Sequence, residues 1–328
     1  LIERNIRWGV LGCANFAHER AIPAMKLAKG VEVTGIASRS KEKAQKFADE
    51  FAIPKVYGSY EEMLADPEID AVYNPLPNGL HAEWTIKTLE AGKHCLTEKP
   101  FAATVAEAEA VAETAQRTGK LVMEAFMWRF HPMHRRVRHL IRDGAIGTVR
   151  LVHSAFTFVL SRHENVRLNR DMAGGGLMDV GVYCVSASRF LFDAEPHHVF
   201  CRADFDPEFG VDMLACGILE FEKGYATFDT GFTVPFRCEY EVVGDKGRII
   251  VPNAFLPTEQ PFIIISSNGK RDRETFPSPN QWSLEFEHLS ECLATGNSLE
   301  YDATDAVKQQ KVMNALLNAA RSGEREAV

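Results

Sequence analysis

From Ile6 to Glu124 the chain alternates short apolar runs with helix-patterned segments, and this alternation constrains the fold more than any other feature of the sequence. Ile6 to Leu11, Val31 to Ala37, Asp70 to Tyr73, His94 to Thr97 and Lys120 to Glu124 read as strands. Between them, Pro23 breaks or kinks the first helical stretch, and Ser40 caps a helix that runs to about Phe51. Ser59 and Glu62 have capping-box spacing ahead of a short helix, Asn78 caps one that runs to Ala91, and Thr104 with Glu107 opens one to Thr118. Repeated β-α-β units joined by right-handed crossovers require a parallel sheet with helices on both faces. Residues 1–126 are therefore expected to form an α/β dinucleotide-binding domain of the Rossmann type.

Beyond about Phe130 the alternation stops. A helix from Pro132 to Asp143 leads into a long strand from Thr148 to Leu160, and a further helix after Gly174-Gly175-Gly176 runs through Phe192. Strand-like stretches then recur from Val199 to Ser266, separated by turns such as Asp245-Lys246-Gly247. Residues 127–328 read as an α+β domain with a large, mainly antiparallel open sheet, and a helix over 302–322 closes the chain. One face of so large a sheet lacks helices to cover it, so a homodimer or homotetramer through that sheet is expected.

At 328 residues, 45% of them hydrophobic, the chain can supply two cores. No apolar run reaches the ~20 residues that cross a bilayer, and the first residues lack the apolar core of a signal peptide, so a cytoplasmic protein without membrane partners is expected. Seven cysteines without C-x-x-C spacing fit reduced thiols, and neither a disulfide frame nor a zinc site. The net charge of −8 argues against a nucleic-acid surface. No metal is expected.

Three stretches carry candidate chemistry. The first is Gly9 to Ala17, which follows a strand and opens a helix, so that its amides face the place of a pyrophosphate; Gly12, Ala14 and Ala17 stand at the three usual glycine or alanine places. At the end of the next strand, Ala37-Ser38-Arg39-Ser40 has no acid to bind ribose hydroxyls, whereas a serine and a guanidinium, with Lys43 nearby, suit an adenosine 2′-phosphate. The second is Glu98-Lys99-Pro100, which ends a strand at its carboxyl end, where open parallel sheets bind ligands. The third is Gly174 to Tyr183, in which Asp179 and Tyr183 stand one helical turn apart and present a carboxylate and a phenol on one face.

Together with N-P-L-P-N-G-L-H at 74–81 and E-A-F-M-W-R-F-H-P at 124–132, these motifs resemble the glucose-fructose oxidoreductase/inositol dehydrogenase (Gfo/Idh/MocA) family over nearly the whole chain. The closest likeness is to its branch with dimeric dihydrodiol dehydrogenase, NADP-dependent D-xylose dehydrogenase and deoxysugar 3-ketoreductases. Tyr183 stands where the inositol dehydrogenase type has histidine, which favours a tyrosine proton carrier. The resemblance implies an NADP(H)-dependent oxidoreductase that moves a hydride between the nicotinamide and an alcohol or carbonyl carbon of a sugar or sugar-like diol. A non-catalytic NADP(H) sensor of the same fold is the alternative. It further implies that Gly12, Cys13, Ala14, Asn15 and Phe16 hold the pyrophosphate, that Ser38, Arg39 and Lys43 meet the 2′-phosphate, and that Leu76, Asn78 and His81 line the cofactor. Glu98 and Lys99 would meet its nicotinamide ribose, and Trp128 with Arg129 would close over it. Lys99, Tyr183 and Asp179 would form the catalytic set, the Lys99-Pro100 bond would be cis, and His131, Arg162, His163 and Arg167 are candidate substrate contacts.

Overall fold

The computed structural model describes residues 4–161 and 165–328. The chain divides into two compact units, Leu1–Met127 with Pro279–Val307, and Trp128–Ser278 with Lys308–Val328.

The first unit is built on a six-stranded sheet in the order β3-β2-β1-β4-β5-β6. Its strands are β1 (Ile6–Leu11), β2 (Val31–Ala37), β3 (Lys55–Tyr57), β4 (Ala71–Asn74), β5 (His94–Glu98) and β6 (Val122–Ala125). Every pairing is parallel, as the β-α-β alternation requires. The connecting helices are α1 (Ile22–Leu27), α2 (Lys41–Phe51), α3 (Tyr60–Ala65), α4 (His81–Glu90) and α5 (Val105–Thr118). Ser40, Ser59 and Thr104 cap α2, α3 and α5 by accepting the amides of Lys43, Glu62 and Glu107, so the three capping signals act as read. The expected break at Pro23 takes a specific form: a five-residue π-helical turn over Ala17–Ala21 passes into α1, with Pro23 in the first turn of α1. Strand order reverses between β1 and β4, so the loops that leave these strands flank the crevice where such sheets take their ligands.

A division at residue 126 assigns everything after it to one domain, whereas Pro279–Val307 belongs with the first unit. The cause is α8 (Gln281–Thr295), a helix that the strand-by-strand reading passed over. Its Phe286 ring packs edge-on against Trp8 at 5.3 Å and against Tyr73 at 5.1 Å, and Trp8 Nε1 donates to Ser290 Oγ at 3.1 Å. The signal was available in Asn280, which caps α8, followed by Trp282, Phe286, Leu289 and Cys292 at helical spacing.

The second unit is organised on a nine-stranded sheet in the order β14-β13-β12-β11-β7-β10-β9-β8-β15. Its strands are β7 (Val149–Thr157), β8 (His198–Phe205), β9 (Asp212–Phe221), β10 (Gly224–Gly231), β11 (Arg237–Gly244), β12 (Gly247–Val251), β13 (Phe262–Ser267), β14 (Lys270–Thr275) and β15 (Glu326–Ala327). All pairs are antiparallel except β10 with β7, so the sheet is mainly antiparallel as expected. The helices are α6 (Pro132–Arg142), α7 (Val182–Phe192) and the part of α9 (Ala303–Ser322) from Lys308 onward. α7 is buried along most of its length and lies against β7 and β10. Val152, Ser154 and Phe156 of β7 are buried while Leu151 and His153 are exposed, the alternation of a sheet with one face covered.

Candidate active site

In the first unit the glycine-rich loop has the form that a pyrophosphate site needs. Gly12 has φ of +79°, and a Cβ there would lie 2.9 Å from Leu76 Cδ2 and 3.4 Å from the Tyr60 hydroxyl, so the position requires glycine both for conformation and for space. Its amide donates to Ala37 O at 2.8 Å, which ties the end of β1 to the end of β2. Ala14 accepts the amide of His18 as the helical turn begins, Cys13 and Ala17 are buried, and Phe16 is 39% exposed beside Trp282. Burial pushes the Cys13 thiol up, with Ser38 and Lys43 opposing, so it serves as a small side chain and is a poor nucleophile at neutral pH.

The end of β2 carries no carboxylate. Ser38 is buried and its Oγ accepts the Ser40 amide at 3.2 Å, while Arg39 and Lys43 are exposed. Tyr60, which the sequence reading did not single out, joins them. Its ring is buried edge-on against Trp84 at 4.7 Å, its hydroxyl stands over Gly12, and Arg39 opposes the upward push that burial exerts on the phenol. Nothing in the local sequence distinguishes Tyr60 from an ordinary core aromatic one residue past a helix cap. The glycine turn and the cationic, acid-free strand end fit a dinucleotide with a 2′-phosphate.

His81 has both ring nitrogens against backbone carbonyls, Nδ1 to Pro100 O at 2.7 Å and Nε2 to Leu76 O at 2.6 Å, and is 1% exposed. Burial pulls its pKa down to about 4, the two carbonyls oppose this, and the charge of Lys99 adds to it. The ring braces the loop after β4 against the turn after β5; a neutral imidazole carries one N–H and so donates to one of these two carbonyls at a time. Asn78 opens a short 3₁₀ turn ahead of α4, and Leu76 is buried. The Lys99-Pro100 bond is cis, as the resemblance implied. Glu98 Oε1 accepts the Tyr73 hydroxyl at 2.7 Å, and Glu98 Oε2 accepts the Lys99 amide at 3.3 Å. Behind them Glu285 of α8 is 1% exposed, its carboxyl pushed well above the usual range by burial and then by the charge of Glu98.

In the second unit, Asp179 lies in a π-helical turn over Leu177–Gly181 that passes directly into α7, and Tyr183 is the second residue of α7. Asp179 Oδ2 accepts Arg167 Nε at 2.6 Å, and both Asp179 and Tyr183 raise the pKa of Arg167, Asp179 by the larger amount. Arg167 therefore holds the Asp179 carboxylate, and the Tyr183 phenol acts on its charge through space. The Tyr183 ring is held by Phe156 and Phe255, each at 5.3 Å.

Trp128 is fully buried within the second unit, its ring edge-on to His134, Phe190 and Phe255 at 4.8, 5.3 and 5.6 Å, which makes it a core residue of that unit. Arg129 is also buried, with its guanidinium over the Phe190 ring. His131 caps α6 through Nδ1, which accepts the Met133 amide at 3.2 Å; its Nε2 is buried without a partner, and burial pulls its pKa down to about 4. Arg162 and His163 lie outside the described residues. One group with metal-ligand geometry occurs among the described residues, His197, His198 and Glu220, with donor atoms within 4.8 Å of one another. Scanning the sequence for such a cluster missed it, because Glu220 joins the histidines only through the pairing of β8 with β9, and Arg325 already holds its carboxylate.

Residues 6–126 match the model of an oxidoreductase family with an NAD-binding Rossmann fold, and residues 134–250 match the GFO/IDH/MocA C-terminal domain. A D-xylose 1-dehydrogenase (NADP(+)) from Haloferax volcanii is 37% identical over 320 residues, 96% of this chain and 98% of the relative. Among solved structures, a 3-ketoreductase from Actinomadura kijaniata in complex with NADP and TDP-benzene superposes with a TM-score of 0.90 at 31% identity, covering 96% of this chain and 98% of that one. An aldose-aldose oxidoreductase from Caulobacter crescentus complexed with glycerol gives a TM-score of 0.92 at 30% identity, covering 99% and 100%. With both domain models matched in order and relatives similar end to end, the chain belongs to the GFO/IDH/MocA family of oxidoreductases.

Proposed function

We propose that this protein is an NADP(H)-dependent oxidoreductase that interconverts an alcohol and a carbonyl on a sugar or sugar-like diol. The observation that carries the reading is the end of β2, where Ser38 and Arg39 stand without a carboxylate beside the Gly12 turn. A carboxylate there would repel a 2′-phosphate, whereas a guanidinium and a hydroxyl donate to it. When bound, the nicotinamide donates or accepts the hydride, so the chain has to orient the substrate carbon and supply one proton carrier. In this reading Tyr183 exchanges the proton with the substrate oxygen. A free phenol has a pKa of ~10, so a cation must stabilise its ionised form, and the family resemblance gives that role to Lys99, together with a hydrogen bond to the substrate oxygen. Arg167 holds Asp179, and Asp179 orients the substrate. Relatives that are named for a sugar dehydrogenase and a sugar-nucleotide ketoreductase support this substrate class.

Two further elements belong to the proposal. Leu151, Ile218 and Tyr225 are exposed on the second sheet, which supports a homo-oligomer formed through it. All seven cysteines are free and six are buried, which supports a reducing, cytoplasmic compartment.

The test is a titration of NADPH and NADH on wild-type protein and on Arg39→Ala, followed by a panel of aldoses, keto-sugars and vicinal diols monitored by NADPH absorbance in both directions. A charge-assisted contact of ~1.5–3 kcal/mol gives roughly tenfold or more preference for NADPH, lost in Arg39→Ala. Equal affinities in the wild type would overturn the cofactor assignment, and tight NADPH binding with no turnover of any panel member would make the protein a sensor.

A further inference from the structure

The helical turn that carries Asp179 and leads into Tyr183 of α7 starts in a cradle that admits no side chains, and a buried carboxylate fills it. Asp212, the first residue of β9, is 2% exposed, and its Oδ2 accepts the Leu177 amide at 2.6 Å. The amides of Gly176 and of Asp212 itself also donate to this carboxylate. A Cβ on Gly175, whose φ is +112°, would overlap Oδ1, and one on Gly176 would lie 3.3 Å from Oδ2. From the other side the Gly175 amide donates to Arg167 O at 2.9 Å, and a Cβ on Gly174 would collide with the carbonyls of Arg167 and Asn169. The run of three glycines is thus clamped between Asp212 and the backbone of Arg167, the residue whose side chain holds Asp179.

The placement of Asp212 departs from the pattern of its strand. Ala215, Gly217, Leu219 and Phe221 face the covered side of β9, and Asp212 is buried out of phase with them. The register with β8 shifts between Asp204 and Phe205, and such an irregularity re-aims a side chain. A neutral carboxamide offers one acceptor oxygen, whereas a carboxylate offers two charged ones to amides that converge from the start of a helix.

We propose that Asp212 is a positioning residue for the reaction: its carboxylate caps the turn that precedes α7 and thereby sets where Asp179 and Tyr183 stand. This inference rests on the assignment of Tyr183 as the proton carrier. Burial pushes the Asp212 carboxyl up to about 6, opposed by the three amides and by Arg321; the other titratable group facing it is Cys201. The cap is therefore charged at neutral pH and loses its charge as the pH falls through about 6.

The experiment compares wild type, Asp212→Asn and Tyr183→Phe, with kcat, KM and the Kd of NADPH measured from about pH 8 to about pH 5, and folding checked by circular dichroism. Asp212→Asn should lose roughly tenfold to a hundredfold in kcat, because a shift of about 1 Å in a catalytic group is worth that much. Its Kd for NADPH should stay unchanged, and its residual kcat should lack the acidic limb expected in the wild type near 6. Wild-type kcat in Asp212→Asn, or an acidic limb that persists in it, overturns the proposal. If Asp212→Asn does not fold, Asp212→Glu decides: a lowered kcat at constant NADPH affinity supports the proposal, because the longer side chain displaces the cap, and wild-type kcat overturns it. Tyr183→Phe keeps the two assignments apart. Full turnover in that variant removes the Tyr183 reading, whereas lost turnover there beside an unaffected Asp212→Asn removes only the role of Asp212.

Discussion

Arg167 Nε lies 2.6 Å from Asp179 Oδ2, and this ion pair joins a short 3₁₀ turn over Val166–Leu168 to the helical turn that leads into α7 and its Tyr183. The carboxylate is the buried partner, at 10% side-chain exposure against 39% for the arginine. Removing the guanidinium takes this ion pair away from the carboxylate. Arg167→Met should lower kcat/KM by about tenfold or more, since orientation of a reacting group is what such a clamp provides. Steady-state kinetics on the substrate found in the panel checks this. An unchanged kcat/KM would show that Asp179 needs no cation.

Tyr183→Phe should lose most of its turnover and keep its affinity for NADPH, because the dinucleotide residues assigned here all belong to other segments. Loss of a general acid or base typically removes about 10²–10⁴-fold in rate. Lys99→Ala should lose turnover as well and shift the pH dependence of whatever rate remains. Single-turnover hydride transfer against pH reads both variants. A near-wild-type rate with an unchanged profile in Tyr183→Phe eliminates the phenol as the acid–base group.

Gly12→Ala places a methyl group 2.9 Å from Leu76 Cδ2 on a backbone with φ of +79°. A left-handed conformation costs an alanine about 1 kcal/mol or more beyond glycine, and the displaced Leu76 adds to it. The variant should melt several degrees lower and bind NADPH more weakly. Thermal denaturation with and without NADPH separates the two effects.

His134, like His131, contributes to the acid sensitivity of the second unit. Its Nδ1 faces the Tyr240 hydroxyl and its Nε2 faces Ala254 O, each at 2.8 Å, so a neutral ring that donates from Nε2 satisfies both. Burial pulls its pKa down to about 3, with His131 adding to the shift and the Ala254 carbonyl opposing it. The folded-state value is below the unfolded one, so this stabilisation is complete above the unfolded pKa of ~6.5 and declines as the pH falls below it, down to the folded value. Between pH 7 and pH 5 the contribution of His134 should fall by about 2 kcal/mol. Urea unfolding of wild type and His134→Gln at both values tests this. Equal pH dependence in the two would exclude His134 as the source.

The residues themselves determined a good deal. Alternating strand and helix signals with caps at Ser40, Ser59 and Thr104 dictated the parallel sheet, because those signals act within a few residues of one another. The Gly12 turn and the acid-free end of β2 were legible for the same reason, since a dinucleotide reads consecutive backbone and side-chain groups there. What required the tertiary structure is everything made by distant segments meeting. Asp212 lies far along the chain from the glycines it caps, and only the pairing of β8 with β9, with its register shift, turns its carboxylate inward. The resemblance lines the cofactor with His81, and in space His81 is also a brace, because the carbonyls of Leu76 and Pro100 meet at its two nitrogens. α8 follows β7 to β14 of the second sheet in sequence, yet it packs on Trp8 and Tyr73 of the first unit. Local periodicity cannot specify such partners, since burial and hydrogen-bond satisfaction are settled only when the strands have taken their places.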